Sequence, residues 1–231
     1  MKLLIVASES AELRAIAARA SNVRRAAVRA DWARRVLLGG HELLLVANGV
    51  GPRRAAAALD AALAGFVPDA LASTGLCGAL VPEMQAADIV VATEVLYKDA
   101  RFPVAPVTTA LRHHCGAVRT LDHIAQTAEE KRFWRSSGAA AVEMEAAAVA
   151  ERSQLLGLPF YCVKAVSDLN YETMANDLNA ALRPDGHFDT IKVLGSSLRH
   201  PLARLPELLR LWRRSIRAAN ILGEFFADCR F

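Results

Sequence analysis

Apolar residues come in short unbroken runs along this chain, and each run stops at a cluster of small or polar residues. Leu3-Leu4-Ile5-Val6-Ala7 is the first, His41 to Ala47 the second, and Ala70 to Ala79 the third. Ala87-Asp88-Ile89-Val90-Val91-Ala92, Ala140-Ala141-Val142 and Pro159 to Val166 follow. Runs of this length bounded by turn residues read as buried strands. Between them the period changes. Ser8 to Arg19 places Leu13, Ile16 and Ala17 on one helical face, an alanine-rich helix follows Pro52, and a charged helix covers Glu129 to Ser136. Another helix is expected from the alanines after Glu145. Arg24 to Arg35 is arginine-rich and expected to be solvated. Strands alternating with helices specify an α/β sandwich, a central sheet covered by helices.

At 231 residues and 53% hydrophobic, the chain suits one domain, residues 1–231, without repeats or a low-complexity linker. The formal charge of +4 is no argument for nucleic acid, because the arginines are unevenly distributed. Cys77, Cys115, Cys162 and Cys229 are widely spaced, with neither a C-x-x-C pair nor zinc spacing, so no metal site is expected and a reducing compartment is the simpler reading. Met1 to Ala7 reads as a first strand and not as a signal peptide, and no run reaches the ~18 apolar residues of a membrane span. The expected location is the cytoplasm, with at most peripheral contact to the inner membrane surface.

Two stretches carry chemistry. In Val142-Glu143-Met144-Glu145-Ala146, two carboxylates sit between a strand end and a helix start. The helix N-terminus favours an acid there, and a simple helix cap is the competing reading. Burying two carboxylates costs several kcal/mol unless they are partnered, which demands a reason. About twenty residues on, a strand ends in Ser167-Asp168. Ligands in α/β sheets gather at the carboxyl ends of strands, where both acidic signals fall.

Val142-Glu143-Met144-Glu145 followed by Ala165-Val166-Ser167-Asp168 resembles the superfamily of purine nucleoside phosphorylases and adenosylhomocysteine nucleosidases. The resemblance covers residues 1–168 and implies a three-layer sandwich with a mixed central sheet flanked by helices. It also implies cleavage of an N-glycosidic bond. Asp168 would protonate the departing purine at N7, with Ser167 orienting it. Glu145 would accept hydrogen bonds from the ribose hydroxyls, Met144 would pack on the sugar, and Glu143 would support the pair. In nucleosidases of the family a glutamate holds the attacking water; the matching position is Glu12, with Glu9 the second choice. Thr74 and Gly75 fall in the loop under the ribose, and Ile124 and Ala125 in the loop covering the base. Were phosphate the nucleophile, Ser8, Gly49, Gly51 and Thr74 would be its donors, the Gly49-Val50-Gly51-Pro52 turn being suited to an anion. There are two departures. Leu76 stands where better-known branches carry serine, and Ala87 stands where the family's GDIVV segment has glycine. No organic cofactor is implied. Phosphate is the expected co-substrate, and related enzymes suggest a homo-oligomer.

The tail differs from the rest. Leu182 to Asp189 breaks the pattern, and 192–231 reads as a basic amphipathic helical extension. At roughly 100° per residue, Leu205, Leu208, Leu209, Trp212, Ile216 and Ala219 share one face, and Arg210, Arg213, Arg214 and Arg217 share another. Such a helix either docks on its own core with Trp212 buried or lies on an anionic membrane through 192–226. Ala181 to Gly186 and Leu205 to Leu211 further resemble a hopanoid-associated phosphorylase branch, which implies phosphorolysis of adenosylhopane, a lipid-linked nucleoside, with release of adenine. The competing expectations are hydrolysis of methylthioadenosine or adenosylhomocysteine, small-molecule nucleosides, and a non-catalytic nucleoside-binding module.

Overall fold

The unbroken apolar run Leu3–Ala7 lies within β1 (Lys2–Ala7), whose last five residues are all buried. A strand buried on both faces sits inside a sheet covered on two sides. The computed structural model describes residues 1–231, and the chain continues as α1 (Ser10–Ala17), β2 (Ser21–Arg25), β3 (Trp32–Leu38), β4 (His41–Ala47) and α2 (Pro52–Leu63). Then come β5 (Ala70–Ala79), β6 (Ile89–Tyr97), β7 (Ala100–Pro103), β8 (His114–Thr120), α3 (Ala128–Arg135) and β9 (Ala139–Glu143). The last elements are α4 (Ala146–Leu156), β10 (Phe160–Asp168), α5 (Leu178–Ala181), α6 (Thr190–Ser197) and α7 (Pro201–Asp228).

These strands form one mixed sheet, ordered β10-β6-β8-β9-β5-β1-β4-β3-β2, with β7 beside β6. Helices cover it on both sides. Ala55, Leu59, Ala147 and Val149 of α2 and α4 pack on one face, and Leu13, Ile16, Leu222 and Phe225 of α1 and α7 pack on the other. The mixed sheet flanked by helices is the architecture expected from the sequence.

One feature of the topology positions the site. The ten-residue strand β5 serves two neighbours on one edge: Leu3 to Val6 of β1 pair with its first half, and Ala141 and Val142 of β9 pair with Gly78 and Ala79 at its end. Along its other edge runs β10, which also pairs antiparallel with β6. The strands β5, β10, β6, β8 and β9 therefore close into a ring. Closure draws the ends of β5, β9 and β10 together, and these strands carry the two acidic motifs.

The arginine-rich stretch 24–35 is not merely solvated chain. It spans the antiparallel hairpin of β2 and β3, in which Ala33 and Val36 point inward while Arg34 and Arg35 cover the rings of Trp32 and Phe66. The strand expected over 87–92 extends to Tyr97, and residues 114–120 form β8. The tail docks through Ala218, Leu222, Phe225 and Phe226, which are core residues, so α7 is built into the same core as α1. No helix is long and apolar enough to cross a membrane.

Ala87 holds a left-handed backbone, with φ +74°, and its N–H donates to the Val166 carbonyl at 2.8 Å. A Cβ in that region costs about 1–2 kcal/mol. Ala87→Gly should therefore stabilise the fold by about 1 kcal/mol, read as a rise in the urea midpoint with the slope unchanged.

Candidate active site

A cavity of about 630 Å³ opens at the carboxyl ends of these strands, lined by Glu12, Glu143, Met144, Glu145, Ser167 and Asp168 among others. Its size is that of a small-molecule site. The four carboxylates are buried, so each must find partners.

Glu12 sits in the first turn of α1. Its Oε2 accepts from Ser8 Oγ at 2.9 Å and from the Glu9 N–H at 2.8 Å, and its Oε1 accepts from the Leu76 N–H at 2.9 Å. The last bond is possible because β5 carries glycine at 75. A Cβ there would lie 2.8 Å from Glu12 Oε1. Gly78 makes the same allowance for Asp168, since a Cβ would lie 2.9 Å from its Oδ2. The Thr-Gly-Leu-Cys-Gly segment thus lets two acids approach one strand.

Asp168 accepts from Ser167 Oγ on Oδ1 at 2.7 Å and from Lys131 Nζ on Oδ2 at 2.5 Å. Lys131 reaches it from α3, is completely buried, and also donates to the Leu169 carbonyl at 2.8 Å. A second fully buried lysine, Lys164 of β10, lies 2.7 Å from Glu143 Oε2 and donates to the Thr74 carbonyl at 3.1 Å. Glu143 and Glu145 both hold the Lys164 ammonium in its charged form against the burial that opposes it, Glu143 more strongly.

Glu143 has no exposed side-chain surface. Its Oε1 accepts from Thr120 Oγ1 at 2.5 Å, and its Oε2 accepts the N–H groups of Glu145 and Ala146 at 2.9 and 2.8 Å. It thereby satisfies the start of α4, and both of its oxygens are engaged by protein donors. Glu145 differs. One oxygen accepts the Gly51 N–H at 2.8 Å, and the other has no protein partner. Burial pushes its carboxyl up to about 8, and Glu143 and Glu12 add to the rise against the lowering by Lys164.

The donors expected around phosphate are engaged by the protein. Ser8 Oγ is on Glu12, the Gly51 N–H is on Glu145, and the Gly49 N–H donates to the Ser8 carbonyl at 2.9 Å. Thr74 is fully buried and turns its hydroxyl onto the Val163 carbonyl, so it lies outside the cavity, and Gly75 acts through Glu12 instead of lining it. Arg54 folds back onto Asn48 and Asp31. Ile124 and Ala125 do line the cavity, but the Ile124 N–H and carbonyl are paired with the Asn179 amide at 2.8 and 2.9 Å.

Lys164 was legible in principle, because a lysine inside the apolar run 159–166 requires a buried partner. Lys131 gave no signal within its charged helix. Asn220, Trp212 and Ile216 of α7 line the cavity as well, from a tail read as an extension.

Fold and site together define an α/β enzyme whose substrate pocket is governed by buried carboxylates at strand ends. The family model described as the phosphorylase superfamily matches residues 2–109 and 105–183, and the chain belongs to that superfamily of enzymes, which cleave N-glycosidic bonds. The 5'-methylthioadenosine/S-adenosylhomocysteine nucleosidase of Actinobacillus succinogenes is 30% identical over 160 residues, 57% of this chain and 70% of the relative. The Anoxybacillus flavithermus protein of the same name is 27% identical over 162 residues, again 57% and 70%. Among solved structures, S-adenosylhomocysteine nucleosidase from Streptococcus pyogenes, in complex with 5-methylthiotubericidin, superposes with TM-score 0.72 at 21% identity, over 99% of this chain and 97% of that one. A futalosine hydrolase mutant of Helicobacter pylori gives 0.73 at 14%, over 99% and 97%. At these identities the structural likeness speaks for the fold.

Two measurements test the electrostatics. Lys164→Met leaves Glu143 buried without its counter-charge and should cost about 3–5 kcal/mol in urea unfolding, and Lys164→Met with Glu143→Gln should recover more than half of it. Glu145 carries the opposite sign. Its carboxyl ordinarily titrates at 4.5 and here near 8, so the unfolded chain loses this proton first and stability falls as pH rises between those values. Glu145→Gln should remove that loss, so its gain in Tm over the parent should be larger at pH 8 than at pH 5.

Proposed function

We propose that this protein hydrolyses the N-glycosidic bond of a 5'-substituted adenosine and releases adenine, the activity that the Actinobacillus and Anoxybacillus relatives carry in their names. The observation that carries the reading is Glu12. It is a buried carboxylate, fixed by three donors, facing the same cavity as Asp168 and Glu145. In the proposed reaction Asp168 delivers a proton to purine N7 as the C1'–N9 bond breaks, leaving positive charge on the ribose. Glu12 draws the proton from a water whose oxygen bonds to C1'. Glu145 engages the ribose hydroxyls with its free oxygen, and Met144 packs against the sugar. Lys131 and Ser167 keep the Asp168 carboxyl group in place.

This departs from the expectation of phosphorolysis. Phosphate needs several unengaged donors at one point, and the hydrogen bonds of Ser8, Gly49, Gly51 and Thr74 go to protein atoms, while Leu76 brings no hydroxyl. The nucleophile therefore favours water. The substituent is a separate matter, and adenosylhopane remains a second reading on one observation: Leu211, Trp212, Ile216 and Ala219 extend the cavity as an apolar surface suited to a large hydrocarbon group.

Adenine release from methylthioadenosine, assayed with and without phosphate, tests the nucleophile. Release should be independent of phosphate and yield a free reducing sugar; a requirement for phosphate, with a sugar 1-phosphate as product, would overturn hydrolysis. Asp168→Asn and Glu12→Gln should each fold and lose about 10²–10⁴-fold in kcat, since neither amide can perform the proton transfer.

A further inference from the structure

The helix α7 has two apolar faces, and only one of them is covered. The inner face carries Ala218, Leu222 and Phe225 into the core. The outer face, at about 100° per residue, carries Leu202, Leu205, Leu209, Trp212 and Ile216 within one stripe. All five are exposed, Leu202 at 94% and Trp212 at 61%. The adjoining helix α6 adds Ile191, 84% exposed, with Leu194, and Leu198 follows at its end. Surface this apolar over two neighbouring helices marks an interaction site.

Charge identifies the partner. Arg213 and Arg217 follow the outer stripe on one flank, and Arg199 stands exposed between α6 and α7; none of the three has an acidic partner. Arg210 and Arg214 are different, because they turn onto Glu172. The one acid between Thr190 and Arg217 is Glu207, which faces inward and accepts from the N–H groups of Ala175 and Asn176. A second copy of this chain, docked by the same face, would bring arginine to arginine with no acid to meet them. An anionic lipid surface offers both what the stripe needs and what the arginines need.

We propose that the outer face of α6 and α7 docks on an anionic lipid bilayer. Trp212 and Ile216 belong both to the exposed stripe and to the cavity lining, so docking sets the cavity mouth against the lipid.

Co-sedimentation of the full chain with vesicles of phosphatidylglycerol and phosphatidylcholine tests the surface without reference to activity. The protein should pellet with mixed vesicles, less so with pure phosphatidylcholine, and be released by salt as the arginines are screened over about 8 Å. Arg199→Gln, Arg213→Gln and Arg217→Gln together should lower partitioning about 10²-fold, and Leu198→Asp with Leu202→Asp should abolish it. Both variants should cleave methylthioadenosine as the parent does. Failure of the parent to bind phosphatidylglycerol vesicles, or a dimer in solution that Leu198→Asp with Leu202→Asp dissociates, overturns the proposal. Either result leaves the cleavage reaction to its own assay.

Discussion

Four carboxylates share one end of this sheet, and the site exists because two lysines are buried with them. Lys164 neutralises Glu143 where neither side chain meets water, and Lys131, itself fully buried, pairs with Asp168 from α3. Without these cations the acids would repel one another in a poorly solvated space. With them, Glu143 and Asp168 are held in place by ion pairs, and Glu145, which has no such direct partner, has its carboxyl pushed up to about 8 by burial. The site thereby contains acids in different environments, the condition that lets neighbouring carboxyl groups take different roles.

Backbone geometry supplies the second requirement. The ring made by β5, β10, β6, β8 and β9 brings three strand ends to one place, and β5 can receive side chains from both α1 and β10 because it carries glycine at 75 and 78. Thr120, at the end of β8, ties Glu143 to the start of α4 by donating to the carboxylate and accepting from the Ala147 N–H. The rigid framework carries Glu12, Glu145 and Asp168, and the mouth is formed by the later segments. Gln126 and Asn179 bind the 121–127 loop to the chain around α5. Glu172 and Glu207 join the 172–176 stretch to α7. The buried carboxylates fixed by the core thus lie beneath a rim built from the tail.

The strand runs, the helix between them and the acidic motifs at strand ends were legible in the sequence, because burial on both faces of a sheet demands continuous apolar residues and leaves polar groups for the ends. Glu145 and Asp168 were legible for that reason, and the family resemblance of their motifs added their chemistry. Which acids remain available to a ligand was decided only by tertiary structure. Glu143 and Glu145 are two residues apart in one motif, yet Glu143 is saturated by Lys164, Thr120 and the α4 N–H groups while Glu145 keeps a free oxygen. Lys131 and Gly78, distant from the motifs in sequence, could be assigned a purpose only once the ring had closed. The helical period of the tail likewise revealed an apolar stripe in α7, but a wheel carries no information on which side meets the core. Packing against α1 chose the face of Leu222 and Phe225 and left that of Trp212 outside, because the direction of docking depends on contacts between segments some two hundred residues apart.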